Sequence, residues 1–163
     1  KENDLTYDSY NKGKLEAQLA YHGNYKAYFE FIADSLKRYS SQRDKQKGEA
    51  FVHGFTLAMT SQNQFYRPIS ELDNDGGYAD IFLSPLCDIY KDMVDSYIIE
   101  LKYCKTNTAD EQLQVLFKEA SAQICRYANS DIVKELVKTT KLHKLVVIYR
   151  GAEMVMCEEV TKE

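Results

Sequence analysis

SYIIELKYCK, Ser96 to Lys105, sets a glutamate and a lysine two positions apart inside a run of strand-forming residues. A strand buried on both faces carries apolar side chains, so Glu100 and Lys102 mark one face as something other than core. Successive side chains of a strand point to opposite faces: Glu100 and Lys102 share one, while Ile99, Leu101 and Tyr103 share the other. Both charges therefore address a single place.

Twenty residues earlier GYADIFL, Gly77 to Leu83, alternates in the same way, with Tyr78, Asp80 and Phe82 on one face and Ala79, Ile81 and Leu83 on the other. Ser84-Pro85 stops this strand. If the two strands pair as an antiparallel hairpin centred near Tyr90, Asp80 falls opposite Glu100, because both are equidistant from that centre. Directly opposed side chains lie about 5 Å apart at Cβ, close enough for two carboxylates to share one ligand. Like charges in contact repel, and a buried charge is costly unless paired. A divalent cation removes the conflict, and Mg²⁺ prefers one or two carboxylates completed by waters and phosphate oxygens.

The first 60 residues have helical spacing. Tyr25, Tyr28, Phe29, Ile32 and Leu36 recur at three- and four-residue steps, and Phe51, Val52, Phe55 and Met59 repeat the pattern after the polar break SSQRDKQKG. A short helix is expected before them, around Leu15 and Leu19. Pro68 and ELDNDGG end the helical region, since proline and paired glycines favour turn or extended backbone.

Beyond the central strand, TNTADEQLQVLFKEASAQICRYA returns to helical spacing through Leu113, Leu116, Phe117, Ala120 and Ile124. Asp131 is a candidate N-cap for a short helix IVKELV. LVVIYRGAEMVMCEEV then reads as two strands joined at Gly151-Ala152, where a leading glycine suits a type II′ turn. The expected fold is α/β: a mixed central sheet flanked by helices, in the order α-β-β-β-α-β-β, with a helical N-terminal lead-in.

Length and composition allow one domain with a real core. The chain has neither a run of 18 apolar residues nor a signal-peptide pattern, so the expectation is a cytoplasmic protein without membrane insertion. Cys87, Cys104, Cys125 and Cys157 show no CxxC spacing and read as free thiols. A net charge of -4 does not attract nucleic acid globally. Local basic excess occurs at Lys37, Arg38, Arg43, Lys45 and Lys47, and at Lys134, Lys138, Lys141 and Lys144; solvated surface is the bland reading of both. The chain opens on Lys1 and not Met, as a piece of a longer protein would.

Taken together, Glu49, the GYAD that contains Asp80, the IIELK that contains Glu100 and Lys102, and AxxQIxxY from Ala122 to Tyr127 resemble the PD-(D/E)XK nuclease superfamily. More narrowly, they resemble the nuclease-like domain that follows an AAA-ATPase-like domain in bacterial proteins. The resemblance covers roughly Gly48 to Cys157 and implies a restriction-endonuclease-like core in residues 41–163. Residues 1–40 would be a helical lead-in or linker from the upstream domain.

The resemblance implies Asp80 and Glu100 as the metal-binding acids for Mg²⁺ or Mn²⁺, Glu49 as an additional acid near the metal, and the Leu101 carbonyl as a further ligand. Lys102 would orient or activate the attacking water, and Gln123 would face the site from its helix. The implied reaction is metal-assisted hydrolysis of a nucleic-acid phosphodiester, with DNA as the first candidate substrate. This chain has alanine before Asp80, where the superfamily weakly keeps proline.

Other readings stand beside this one. An ELK in a strand can be an exposed ion pair, and Gln123 and Tyr127 can be the shoulder of an amphipathic helix with Tyr127 in the core. His53, one turn after Glu49, reads as a packed or hydrogen-bonded histidine, and His22 and His143 have no partners at ligand spacing. ELDNDG imitates the start of a calcium loop, but Phe82 stands where the bidentate glutamate is required. The functional alternative is an inactive nuclease-fold module that binds nucleic acid or a protein partner of an ATPase; a structural domain that mediates oligomerisation is a third possibility.

Overall fold

In the computed structural model, which describes residues 2–41, 48–74 and 77–161, three helices come first: α1 (Glu2–His22), α2 (Tyr25–Tyr39) and α3 (Glu49–Ser61). Three strands follow, β1 (Tyr66–Asn74), β2 (Gly77–Pro85) and β3 (Asp95–Cys104). Helices α4 (Asp110–Ala128) and α5 (Asp131–Val137) then lead to β4 (Lys141–Arg150) and β5 (Glu153–Glu159). The strands form one sheet in the order β1-β2-β3-β4-β5. Only β3 and β4 are parallel, as expected for strands joined by a helical crossover. This is the mixed, helix-flanked sheet that the sequence predicts.

The alternation of each strand sorts its side chains between two cores. Ile81, Leu83, Tyr97, Ile99, Leu145 and Val147 pack with Leu19, Phe29, Ile32, Leu36 and Val52 from the first three helices. On the opposite face Phe82, Ile98, Val146 and Ile148 pack with Leu113, Ala120, Ile124 and Val133 from α4 and α5. Because both faces are covered, β3 is buried continuously from Asp95 to Leu101. Each fully buried Leu or Ile contributes about 2 kcal/mol relative to exposure, so β3 and β4 anchor the sheet. Helices α1 and α2 share this core with the sheet. Among the described residues no helix is long and apolar enough to cross a membrane.

Three local expectations change. The short helix around Leu15 and Leu19 is a 21-residue one. Pro68 lies inside β1, paired with Leu83; β1 is an edge strand, where the missing proline N–H costs no ladder bond on its open side. The cap of α5 is Ser130, whose hydroxyl accepts from the Val133 amide, and Asp131 is the first helical residue. Gly151 bears out the predicted turn: its φ is +64°, and a Cβ there would meet Thr106 Oγ1 at 2.9 Å. The basic residues Arg43, Lys45 and Lys47 and the turn at Asp75 and Gly76 lie outside the described residues.

Candidate active site

The β2–β3 hairpin has the register expected from its centre, with Ile81 opposite Ile99, Phe82 opposite Ile98 and Leu83 opposite Tyr97. The ladder then stops. Toward Gly77, β2 stays paired with β1, and toward Cys104, β3 stays paired with β4. The sheet therefore forks, and Asp80 and Glu100 are the first residues past the last pair.

Asp80 bridges the fork. Its Oδ2 accepts the Leu101 N–H at 2.7 Å, a charge-assisted bond in place of a strand-to-strand one. Its carbonyl oxygen lies 3.3 Å from His53 Nε2 on α3. Glu49, Ala50 and His53 from α3, with Asp80 and Leu101, line a cleft of about 370 Å³ at this point. Glu49 is exposed in the first turn of α3, where a carboxylate is favoured by the helix dipole.

Glu100 is 3% exposed, and its Oε1 accepts from Lys102 Nζ at 2.8 Å. Glu100 Oε2 is buried with no hydrogen-bond partner, a loss of about 1–3 kcal/mol if nothing else fills the place. Burial raises the Glu100 carboxyl above its ordinary range; Lys102 pulls it down, but the charges of Asp80 and Glu49 push it up again. For Lys102, burial opposes the ammonium, yet the Glu100 hydrogen bond and the charges of Glu100, Asp80 and Glu49 outweigh it and raise its pKa. Three carboxylates against one ammonium leave an excess of negative charge around a buried, unpartnered oxygen.

That combination fits a hard divalent cation. Among the described residues no group of three His, Cys, Asp or Glu side chains stands close enough to hold a metal. Asp80 and Glu100 are the two carboxylates that could hold an ion of the kind that completes its shell with water.

Gln123 lies on α4 one residue before Ile124 of the second core, half-buried, with its Oε1 sealed and unpartnered. Glu100 lies on the sheet face covered by that helix, in alternation with Ile98. Tyr127 is 8% exposed and belongs to the core, as the bland reading has it. Of the second basic stretch, Lys134 and Lys138 pair with Asp131 and Asp88 on the surface. Sequence spacing left His143 alone, but folding sets it between Asp95 and Glu159, with ring nitrogens 2.7 and 2.8 Å from their carboxylates. The four cysteines are free thiols.

A family model described as the PD-(D/E)XK nuclease superfamily matches residues 47–159. No curated protein and no solved structure matches the chain. The family match spans well over half of the 163 residues and takes in α3, the forked hairpin and α4, so the chain belongs to the PD-(D/E)XK nuclease superfamily.

Proposed function

We propose that this domain is a metal-dependent nuclease that hydrolyses phosphodiester bonds of nucleic acid, taken as DNA, in the cytoplasm. The observation that carries the reading is the buried, unpartnered Glu100 Oε2 beside Asp80 at the fork. Asp80 and Glu100 would hold Mg²⁺ or Mn²⁺, with the Leu101 carbonyl as a further oxygen donor and Glu49 acting through water in the ion's outer shell. The bound ion would supply Lewis-acid stabilisation of charge on the phosphate and make water more acidic.

The chain's own residues do the rest. The Leu101 amide fixes the Asp80 carboxylate across the fork. Lys102, tied to Glu100 at 2.8 Å, orients the attacking water from a charged Nζ. Gln123 Oε1 offers an acceptor from α4. Cleavage assays on the protein, Glu100→Ala and Lys102→Ala test this: both substitutions abolish activity if the assignment holds, and equal activity in all three rules it out.

A second reading has two observations in its favour. The Glu100–Lys102 ion pair partly neutralises the site from within, and the net charge of -4 is unfavourable for phosphate binding. A module that binds nucleic acid or a protein partner without cleaving would need no more than this. From the family resemblance we also propose that an AAA-ATPase-like domain precedes this one in the full-length protein.

A further inference from the structure

We propose that His53 is a positioning residue that holds Asp80 at the fork. Its functional consequence rests on the metal-dependent reading above. A carbonyl oxygen can only accept, so His53 Nε2 carries the hydrogen in its 3.3 Å contact with the Asp80 carbonyl. That carbonyl belongs to the first β2 residue beyond the pairing with β3, where the backbone has lost its ladder on one side.

Besides the β1 pairing on either side of it, Asp80 is held across the fork from two directions. β3 holds its carboxylate through the Leu101 amide at 2.7 Å, and α3 holds its main chain through His53. The helix is a firm base for this. Val52, adjacent to His53, is 2% exposed in the main core, and Thr56 and Thr60 are buried with their hydroxyls bonded to α3 carbonyls. A side chain mounted on an anchored helix fixes its target more closely than one on a loop. Without His53, the fork would keep its carboxylate but not the angle at which β2 presents it.

The test uses amide exchange, which does not depend on catalysis. In His53→Ala, the Leu101 amide exchanges about tenfold faster, while the Ile99 and Val147 amides keep their protection. Mn²⁺ binding followed by calorimetry weakens severalfold. His53→Gln, which keeps an N–H donor at similar reach, restores both. Unchanged Leu101 exchange in His53→Ala overturns the proposal, and so does faster exchange throughout β3 and β4 that glutamine does not rescue. If the unaltered protein fails to bind Mn²⁺, the metal-dependent reading falls, and the Leu101 amide alone decides the role of His53.

Discussion

Asp80 and Leu101 are joined across the open end of the β2–β3 ladder, with the carboxylate Oδ2 accepting the main-chain N–H at 2.7 Å. One side chain thereby does two jobs: it replaces a missing strand-to-strand bond, and it sets a negative charge at the mouth of the cleft. These jobs separate by substitution. Asp80→Ala loses both and costs about 1.5–3 kcal/mol of stability, the range for a hydrogen bond to a charged group. Asp80→Asn keeps an acceptor and costs less than the alanine, yet loses cleavage to the same extent. Urea unfolding beside a cleavage assay checks the pair.

Glu16 is expected to weaken the fold at neutral pH. It is 4% exposed, its Oε1 has no hydrogen-bond partner, and Lys12 stands 3.6 Å away. Burial raises its carboxyl above the ordinary range, more than Lys12 and the Gln64 amide lower it. A folded-state pKa above the unfolded one means that the native state takes up the proton first. The penalty is therefore full above the folded pKa and fades as pH falls through it toward the unfolded value, about 4.3. Glu16→Gln should gain about 1 kcal/mol at pH 7.5, and the gain should shrink as the pH approaches 4.5. Thermal melts of both proteins across that range measure it.

His143 staples three strands. It is 5% exposed, with Nε2 facing the buried Asp95 of β3 at 2.7 Å and Nδ1 facing Glu159 of β5 at 2.8 Å; its ring stacks on Tyr97. Removing the imidazole leaves Asp95 buried without that partner. His143→Phe should cost about 1–3 kcal/mol in urea unfolding, the range for leaving a buried acceptor without its hydrogen bond. His143 and the Glu100 partner Val146 are three residues apart on β4, about 10 Å, so Mn²⁺ affinity of the folded fraction should not change.

The hairpin was legible because strand chemistry repeats every two residues. Asp80, Glu100 and Lys102 broke an apolar pattern on one face, and the loop length gave the hairpin its register; a direct pairing of Asp80 with Glu100 does not follow, because the ladder ends at Ile81 and Ile99 and the Asp80 carboxylate turns to the Leu101 amide. Strand β1 was counted in the expected order but not located, because Pro68 and the acidic run after it are turn signals that only an edge position overrides. The true length of α1 was hidden because, among its described side chains, few, including Glu16, Leu19 and Ala20, reach the core. Within the site, the contact of His53 with Asp80 joins residues 27 positions apart. Such contacts depend on where α3 lands on the sheet, which local periodicity does not encode. The partners of His143 were missed for the same reason: they come from neighbouring strands, not from ligand spacing along one.

The central claim is that Asp80 and Glu100 share a divalent ion at the fork, and a crystal soaked in Mn²⁺ tests it most directly through anomalous scattering. The account predicts a peak within bonding distance of both carboxylates, about 2.0–2.6 Å for hard cations, with Glu100 Oε2 among the ligands. No peak at the fork, with the Glu100–Lys102 ion pair intact at saturating Mn²⁺, would contradict it.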